Sequence, residues 1–422
     1  NYLKESKALY ETILAFVECE EAFLDYRFQK FINFFEFSKI GEKKDEFIEF
    51  LHLLNKIFGN YHRIPTFSRK IEQIFQYLKK YIQENYSNID ILNIFSSNLK
   101  ILQILVDEKI LIFDEKLANL ILFANNSIYI SFFLPEIKPF MNKEKYDSQI
   151  KEINENFDFN PNDLDIFKRN RQIGENDSYI CNLIRNDLIK EFVTYVNKEN
   201  INLSNKIRPS IFETNSKFIN NETTLIEYAT FFGSIQIFQF IRMNNTELSS
   251  TLWLYAIHSN DPEMIHLLEE FKVEPSDSTY SKCFKEAIKC HHNDIANYII
   301  NNKLTKNDKT CLYALKYYNY EFFPDEMNDM SIDIFYDACM FGYVKLTNLF
   351  LNIYKNEIGK NRVSQIIRKN KSLFTALMLN EEGIINLELF QGWLFLTTIK
   401  IHSSVTKIKG RAFEGCPLKD NI

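Results

Sequence analysis

The chain has 422 residues, 45% of them apolar and 25% charged, with a net charge of −6 and an isoelectric point near 5.8. That length exceeds one hydrophobic core and fits two or three domains or an elongated repeat array, and the balance excludes both a disordered chain and a membrane bundle. No Lys/Arg stripe is present; the densest basic group, Arg368, Lys369 and Lys371, reads as a solvated helix end. Nucleic acid is therefore not expected as the main partner, because phosphate binding begins with clustered positive charge.

Gly (10) and Pro (9) are scarce. Sandwiches and barrels need many turn residues, so the composition predicts helices joined by short polar loops, with Asn replacing Gly at left-handed helix ends. The cysteines Cys19, Cys181, Cys283, Cys290, Cys311, Cys339 and Cys416 are odd in number, scattered and free of CxxC pairs. They read as free, packed thiols in a reducing compartment, which predicts a cytoplasmic location. The chain begins at Asn1, and Lys4, Glu5, Lys7 and Glu11 interrupt any apolar leader. The uncharged run Leu117–Leu134 contains Asn119, Asn125 and Asn126. Three amides in mid-span are costly in lipid, so the run predicts two short buried helices meeting at Asn125-Asn126 and no membrane insertion.

Residues 1–155 read as successive amphipathic helices, either a bundle or degenerate repeats. Phe47, Leu51, Leu54 and Phe58 fall at helical spacing, as do Ile71, Ile74, Phe75 and Leu78, and Leu99, Ile101, Leu102 and Leu105. The polar stretch Asn154–Asp165, with Pro161, places a connecting segment at 156–177. From about Ser178 a unit recurs: helix, turn, helix. Thr224–Ile241 is one copy, Thr251–Leu268 a second and Cys283–Ile299 a third; others centre on Ala314, Ala338 and Ala376, and an earlier one runs Tyr179–Val193. Alanines 229, 256, 287, 314 and 338 stand 27, 31, 27 and 24 residues apart, and four residues after each comes Gly233, Asn260, His291, Tyr318 or Gly342. A small residue lets the first helix lie close to its neighbour; a residue able to take the left-handed conformation ends it. One such hairpin cannot bury its apolar face alone, so neighbours must stack.

The unit resembles the ankyrin repeat, carried here by Thr224, Ile226, Ala229, Gly233, Ile237 and Phe240-Ile241. The segments Arg171–Arg185, Pro209–Asn215, Leu225–Phe238 and Glu286–Tyr298 are similar to a group of degenerate ankyrin proteins of parabasalid protists for which no activity is assigned. The spacing is shorter than the usual repeat, so several copies should lack the full β-turn finger. Ile399–Leu418, with Ala412-Phe413 and Cys416, resembles one unit of the BspA-type leucine-rich repeat. The resemblance implies an all-α hairpin solenoid over 178–396, preceded by the helical region, and a β-rich piece at 397–422. It also implies that the residue before each repeat alanine, Tyr228, Tyr255, Glu286, Tyr313 or Asp337, faces a concave surface. Tyrosine there would supply rigid contact area with a polar tip.

Chemistry is sparsely signalled. Cys283, Cys290, His291 and His292 are zinc-ligand types, yet the cysteines stand seven apart and the histidines fall at the turn, where a histidine bonds the loop backbone; a packing role is expected. His258 and His266 read as surface or capping groups, and Glu18, Glu20 and Glu21 as a solvated face. No nucleophile elbow and no nucleotide-binding glycine motif occurs. The reading is a non-catalytic protein-interaction scaffold with no cofactor, no metal and no small-molecule ligand. Three alternatives stay open: a surface or adhesion protein with truncated leucine-rich repeats, an enzyme or effector with a site in the N-terminal half, and a self-associating structural array.

Overall fold

The structure is a computed structural model that describes residues 2–63, 66–124, 126–157, 164–219, 221–304 and 309–324, isolated positions between 334 and 349, and the backbone of 384–385 and 407–408. It is predominantly helical, as expected. Contacts divide the chain into one unit of 1–54 with 309–422 and a second of 55–308. This corrects the expected boundary: residues 156–177 fall inside the second unit. There α11 (Leu164–Ile173) buries Phe167 among Leu134, Ile153, Ile211 and Phe212, with the Phe167 and Phe212 rings 5.3 Å apart.

In the first unit α1 (Tyr2–Glu18) packs on α2 (Leu24–Ser38). α3 (Lys44–Asn60) begins there, and Phe47 and Phe50 meet Phe31 and Phe35 in a cluster of rings 5.5–6.2 Å apart. Late in the chain, α20 (Thr310–Tyr317) is followed by a 3-10 turn at Tyr320–Phe322. The Tyr10 hydroxyl donates to Asn319 Oδ1 at 2.9 Å, joining sequence-distant segments.

The second unit is built from helix pairs. Near its start are α4 (Phe67–Asn85), α5 (Asn88–Phe95) and α6 (Leu99–Asp107). α5 opens with a capping box at Ser87 and Asp90, which satisfies two otherwise orphaned N–H groups. The apolar run resolves as α7 (Glu115–Ala124) and α8 (Ser127–Phe132), with the Asn126 side chain capping α8 by accepting from Tyr129 N. Two short helices thus form where the amides fall, and among the described residues no helix is long and apolar enough to cross a membrane. α9 (Leu134–Ile137) and α10 (Lys143–Phe157) precede α11.

Four hairpins follow: α12 (Tyr179–Arg185) with α13 (Ile189–Lys198), α14 (Leu225–Phe232) with α15 (Ile235–Met243), α16 (Leu252–Ser259) with α17 (Pro262–Glu270), and α18 (Ser281–Cys290) with α19 (Asn293–Asn302). Their first helices pack in chain order, α12 on α14, α14 on α16 and α16 on α18. Ala229, Ala256 and Ala287 are fully buried, as the close approach of first helices requires. Every residue four after a repeat alanine is left-handed: Gly233 at φ +68°, Asn260 +52°, His291 +59°, Tyr318 +58° and Gly342 +84°. The expected reversal therefore occurs even where His and Tyr stand in place of Gly.

The same register places a tie between hairpins. Five residues after the alanine, Ser234 Oγ donates to Ile184 O, His292 Nδ1 to Ile257 O and Tyr343 Oη to Leu315 O, at 2.5, 2.7 and 2.9 Å. Ile257 and Leu315 each follow the alanine of the preceding copy, and Ile184 occupies that position in α12. These three carbonyls, which already accept a backbone N–H from their own turns, thus gain a second bond from the next copy. Asp187, left-handed at φ +46°, adds a tie by accepting from Gln236 N and Ile237 N at the start of α15, both at 3.0 Å.

The copy around Ala376, the basic group at 368–371, Cys339 and Cys416 lie outside the described residues, as does most of 397–422. Of the expected β-rich piece, Lys407–Ile408 pair in parallel with Ile384–Ile385.

Candidate functional site

The residues expected on a concave face do not form one exposed set. Tyr228 is fully buried on α14; its hydroxyl accepts from Arg185 at 2.9 Å and its ring packs on Phe218 at 4.9 Å. Glu286 is buried on α18. Both positions therefore correct the expectation: Phe218 and Lys217, from the loop before α14, lie over Tyr228 and Glu286, and Arg185 of α12 and His258 of α16 reach them from the neighbouring first helices. Tyr255 remains half-buried on α16, its ring parallel to Phe218 at 6.2 Å, and Tyr313 and Asp337 are also half-buried.

What occupies the covered positions is a polar interior. Loop 174–178 follows α11, and loop 208–215 closes over it. Asn176 Nδ2 donates to Arg208 O at 2.6 Å, Thr214 Oγ1 donates to Gly174 O at 2.7 Å, and Glu213 accepts from the backbone N–H groups of Asn176 and Asn215 at 3.2 and 2.8 Å. Arg63 pairs with Glu175 at 2.5 Å and donates to Gly174 O at 2.9 Å, and Arg185 donates to Asn176 O at 2.8 Å. Buried backbone and charge must find partners, and here most find each other, Glu175 Oε2 and Ser178 Oγ excepted. Burial and the neighbouring Glu175 push Glu213 up to about 8, against the pull of Arg63. Burial lowers Lys100 to about 8, and its ammonium donates to Gln172 O. The segments 171–185 and 209–215 that carried the family resemblance are thus the two sides of one loop clasp. Both segments are recognisable in the sequence, but nothing local announces that Arg63, Glu175, Arg185 and Glu213 meet.

A second polar centre lies where α16 faces α18. His258, expected at the surface, is buried; its ring stacks on Phe231 at 4.9 Å and its Nε2 lies 2.6 Å from Glu286 Oε1. Lys217 and Lys289 reach the same oxygen at 2.9 and 3.2 Å. Burial pulls His258 down to about 4, and three donors on one oxygen hold Glu286 well below the usual carboxylate range despite its burial. The ring is therefore neutral, with Nε2–H donating to Glu286. Cys290 Sγ lies 3.4 Å from His258 Nδ1 and 3.6 Å from Nε2. A sulfur nearly equidistant from both ring nitrogens sits over the ring and not along an in-plane lone pair. Burial also pushes the Cys290 thiol far up. A thiolate nucleophile is not what this geometry prepares.

His291 and His292, the turn residues of the same hairpin, are buried too. His292 Nδ1 must donate to the Ile257 carbonyl, so its Nε2 accepts from His62 Nδ1 at 3.3 Å. Burial lowers His62 to about 4 and His291 to about 3. The expected backbone bond of His292 is present. The suggested metal quartet does not assemble: among the described residues the one group of His, Cys, Asp or Glu with close ligand atoms is His258, Glu286 and Cys290. Cys19, Cys181, Cys283, Cys290 and Cys311 are free thiols.

In the first unit Glu49 is buried, accepting from the Tyr2 hydroxyl at 2.7 Å and from Lys345 N, and burial pushes it up to about 8. The adjacent cavity, lined by Glu46, Phe50 and Tyr320 among others, measures about 40 Å³, enough for water and not for an organic substrate.

No family model matches the chain, no curated protein matches its sequence, and no solved structure matches its fold.

Proposed function

We propose that the chain is a non-catalytic scaffold of ankyrin-type hairpins that recognises other proteins. The observation that supports this reading most is the ordered packing of α12, α14, α16 and α18, with a carbonyl of α12 and one of α16 each bonded from the next copy. Such an array presents a long surface whose shape is set by stacking. The polar centres favour the same reading: Arg63, Glu175, Arg185 and Glu213 bond loop backbone and one another, which suits holding loops and helices in register. Tyr255 and Tyr313 are the half-buried aromatic positions that a partner would touch. The buried free thiols support a reducing compartment such as the cytoplasm.

The test compares affinity capture from native lysate by wild type and by Tyr255→Ala. The expected outcome is a defined protein retained by wild type and weakened at least ten-fold by the substitution, with unchanged helical circular dichroism. Equal recovery by both would remove Tyr255 from the recognition surface.

One observation favours a second role for the C-terminal end. Ile384 pairs with Lys407, 23 residues later, in parallel. Leucine-rich repeats stack one short parallel strand per ~20–29 residues. A leucine-rich ladder beginning here would serve a surface or adhesion protein.

A further inference from the structure

We propose that His258, Glu286 and Cys290 form a binding site for a zinc-class divalent metal, clamped between the neighbouring helices α16 and α18. The inference does not depend on the scaffold reading. Glu286 and Cys290 stand four residues apart, so one face of α18 presents carboxylate and thiol together, and the packing of α16 brings the imidazole to them. One ligand atom from each residue lies within 4.8 Å of the other two, and all three residues are buried.

The donor set is imidazole nitrogen, carboxylate oxygen and sulfur, which zinc accepts in tetrahedral sites at ~2.0–2.3 Å. Those bond lengths put ligand atoms about 3.3–3.6 Å apart. Cys290 Sγ lies 3.6 Å from His258 Nε2 but also 3.4 Å from Nδ1, over the ring face, so the thiol must turn off that face to share an ion held in the ring plane at Nε2. His258 Nε2 to Glu286 Oε1, at 2.6 Å, is a hydrogen bond that must open by about 0.7 Å as the ion replaces the proton between them. Phe231, stacked on the ring, fixes its plane.

Charge suits the burial. A divalent ion with one carboxylate, one thiolate and a neutral imidazole is a neutral complex, whereas a bare dication in the interior is prohibitively costly. Binding removes the Cys290 S–H proton to solvent and displaces the His258 Nε2 proton to Nδ1, so one proton leaves per metal bound. Before binding, Lys217 and Lys289 place two positive charges on the one Glu286 carboxylate. Both side chains are about one-fifth exposed, so their long stems swing outward to solvent when Oε1 turns to the metal. Water completes the fourth position. A metal here would cross-link two stacked hairpins and stabilise the folded array by mass action.

The experiment titrates the full chain, purified with chelator and kept reduced, with Co(II) as the optical stand-in for zinc. The expected result is a thiolate-to-cobalt charge-transfer band in the near ultraviolet that saturates at one equivalent. It is lost in Cys290→Ser and Glu286→Gln and kept in Cys283→Ser. Affinity should rise about ten-fold per pH unit below the thiol pKa, reporting one released proton. Zinc should raise the unfolding midpoint of wild type and leave that of Cys290→Ser in place. A folded wild type with no band at stoichiometric cobalt overturns the proposal, as does a band of equal strength in Cys290→Ser. Either result would leave the centre as a hydrogen-bonded strut between helices.

Discussion

At the scale of single residues, Gly233 and His292 carry most of the local logic. A Cβ built on Gly233 meets nothing closer than 3.4 Å, so space is not the constraint; φ of +68° is. Asn260 and His291 hold the same conformation in sister hairpins, which shows that a side chain is tolerated when it is not β-branched. Gly233→Val should therefore cost about 2–3 kcal/mol in urea unfolding and Gly233→Asn under ~1 kcal/mol. Equal effects from the two would contradict the assigned turn. The His62–His292 bond makes an acid-sensitive point. Burial and the nearby Lys70 disfavour the imidazolium and lower His62 to about 4. A base whose folded pKa is depressed contributes stability above the unfolded value that is lost as pH falls through the interval from 6.5 to about 4. Between pH 7.5 and 5 the stability gap between wild type and His62→Gln should shrink by on the order of 2 kcal/mol. A gap independent of pH would mean that His62 is solvated in the folded chain.

At the scale of elements, legibility followed locality. The alanine-plus-four reversal could be read because it is a contact within five residues, and all five positions are left-handed. The break of the apolar run at Asn126 was readable for the same reason, since an Asn before a short helix caps it. The covered state of Tyr228 and Glu286 is not legible in the sequence, because it depends on the loop carrying Lys217 and Phe218 folding over the first helices, which no local pattern encodes. His258 was misplaced for a related reason: as a polar residue near a helix end it looked solvated, while its partner Glu286 stands 28 residues away on the next first helix. The loop clasp escaped for the same cause. Arg63 and Glu175 are 112 residues apart, and the charge pattern near either gives no hint of the other.

At the scale of the whole chain, the composition correctly indicated helices, and the division into units did not follow the composition. The polar stretch that looked like a linker leads into α11, whose Phe167 is part of a buried cluster. The first unit joins residues 1–54 to the late segment through bonds such as Tyr10 to Asn319, a pairing across 309 residues that only folding reveals. The account rests on hairpins that depend on their neighbours, and native-state hydrogen exchange on Ala256→Leu tests it most directly. Ala256 is fully buried on α16, between α14 and α18. Overpacking there costs ~1–3 kcal/mol. If the hairpins stack interdependently, amide exchange should accelerate in α14 and α18 together with α16. Acceleration confined to α16 and α17, with α14 and α18 exchanging as in wild type, would contradict the account.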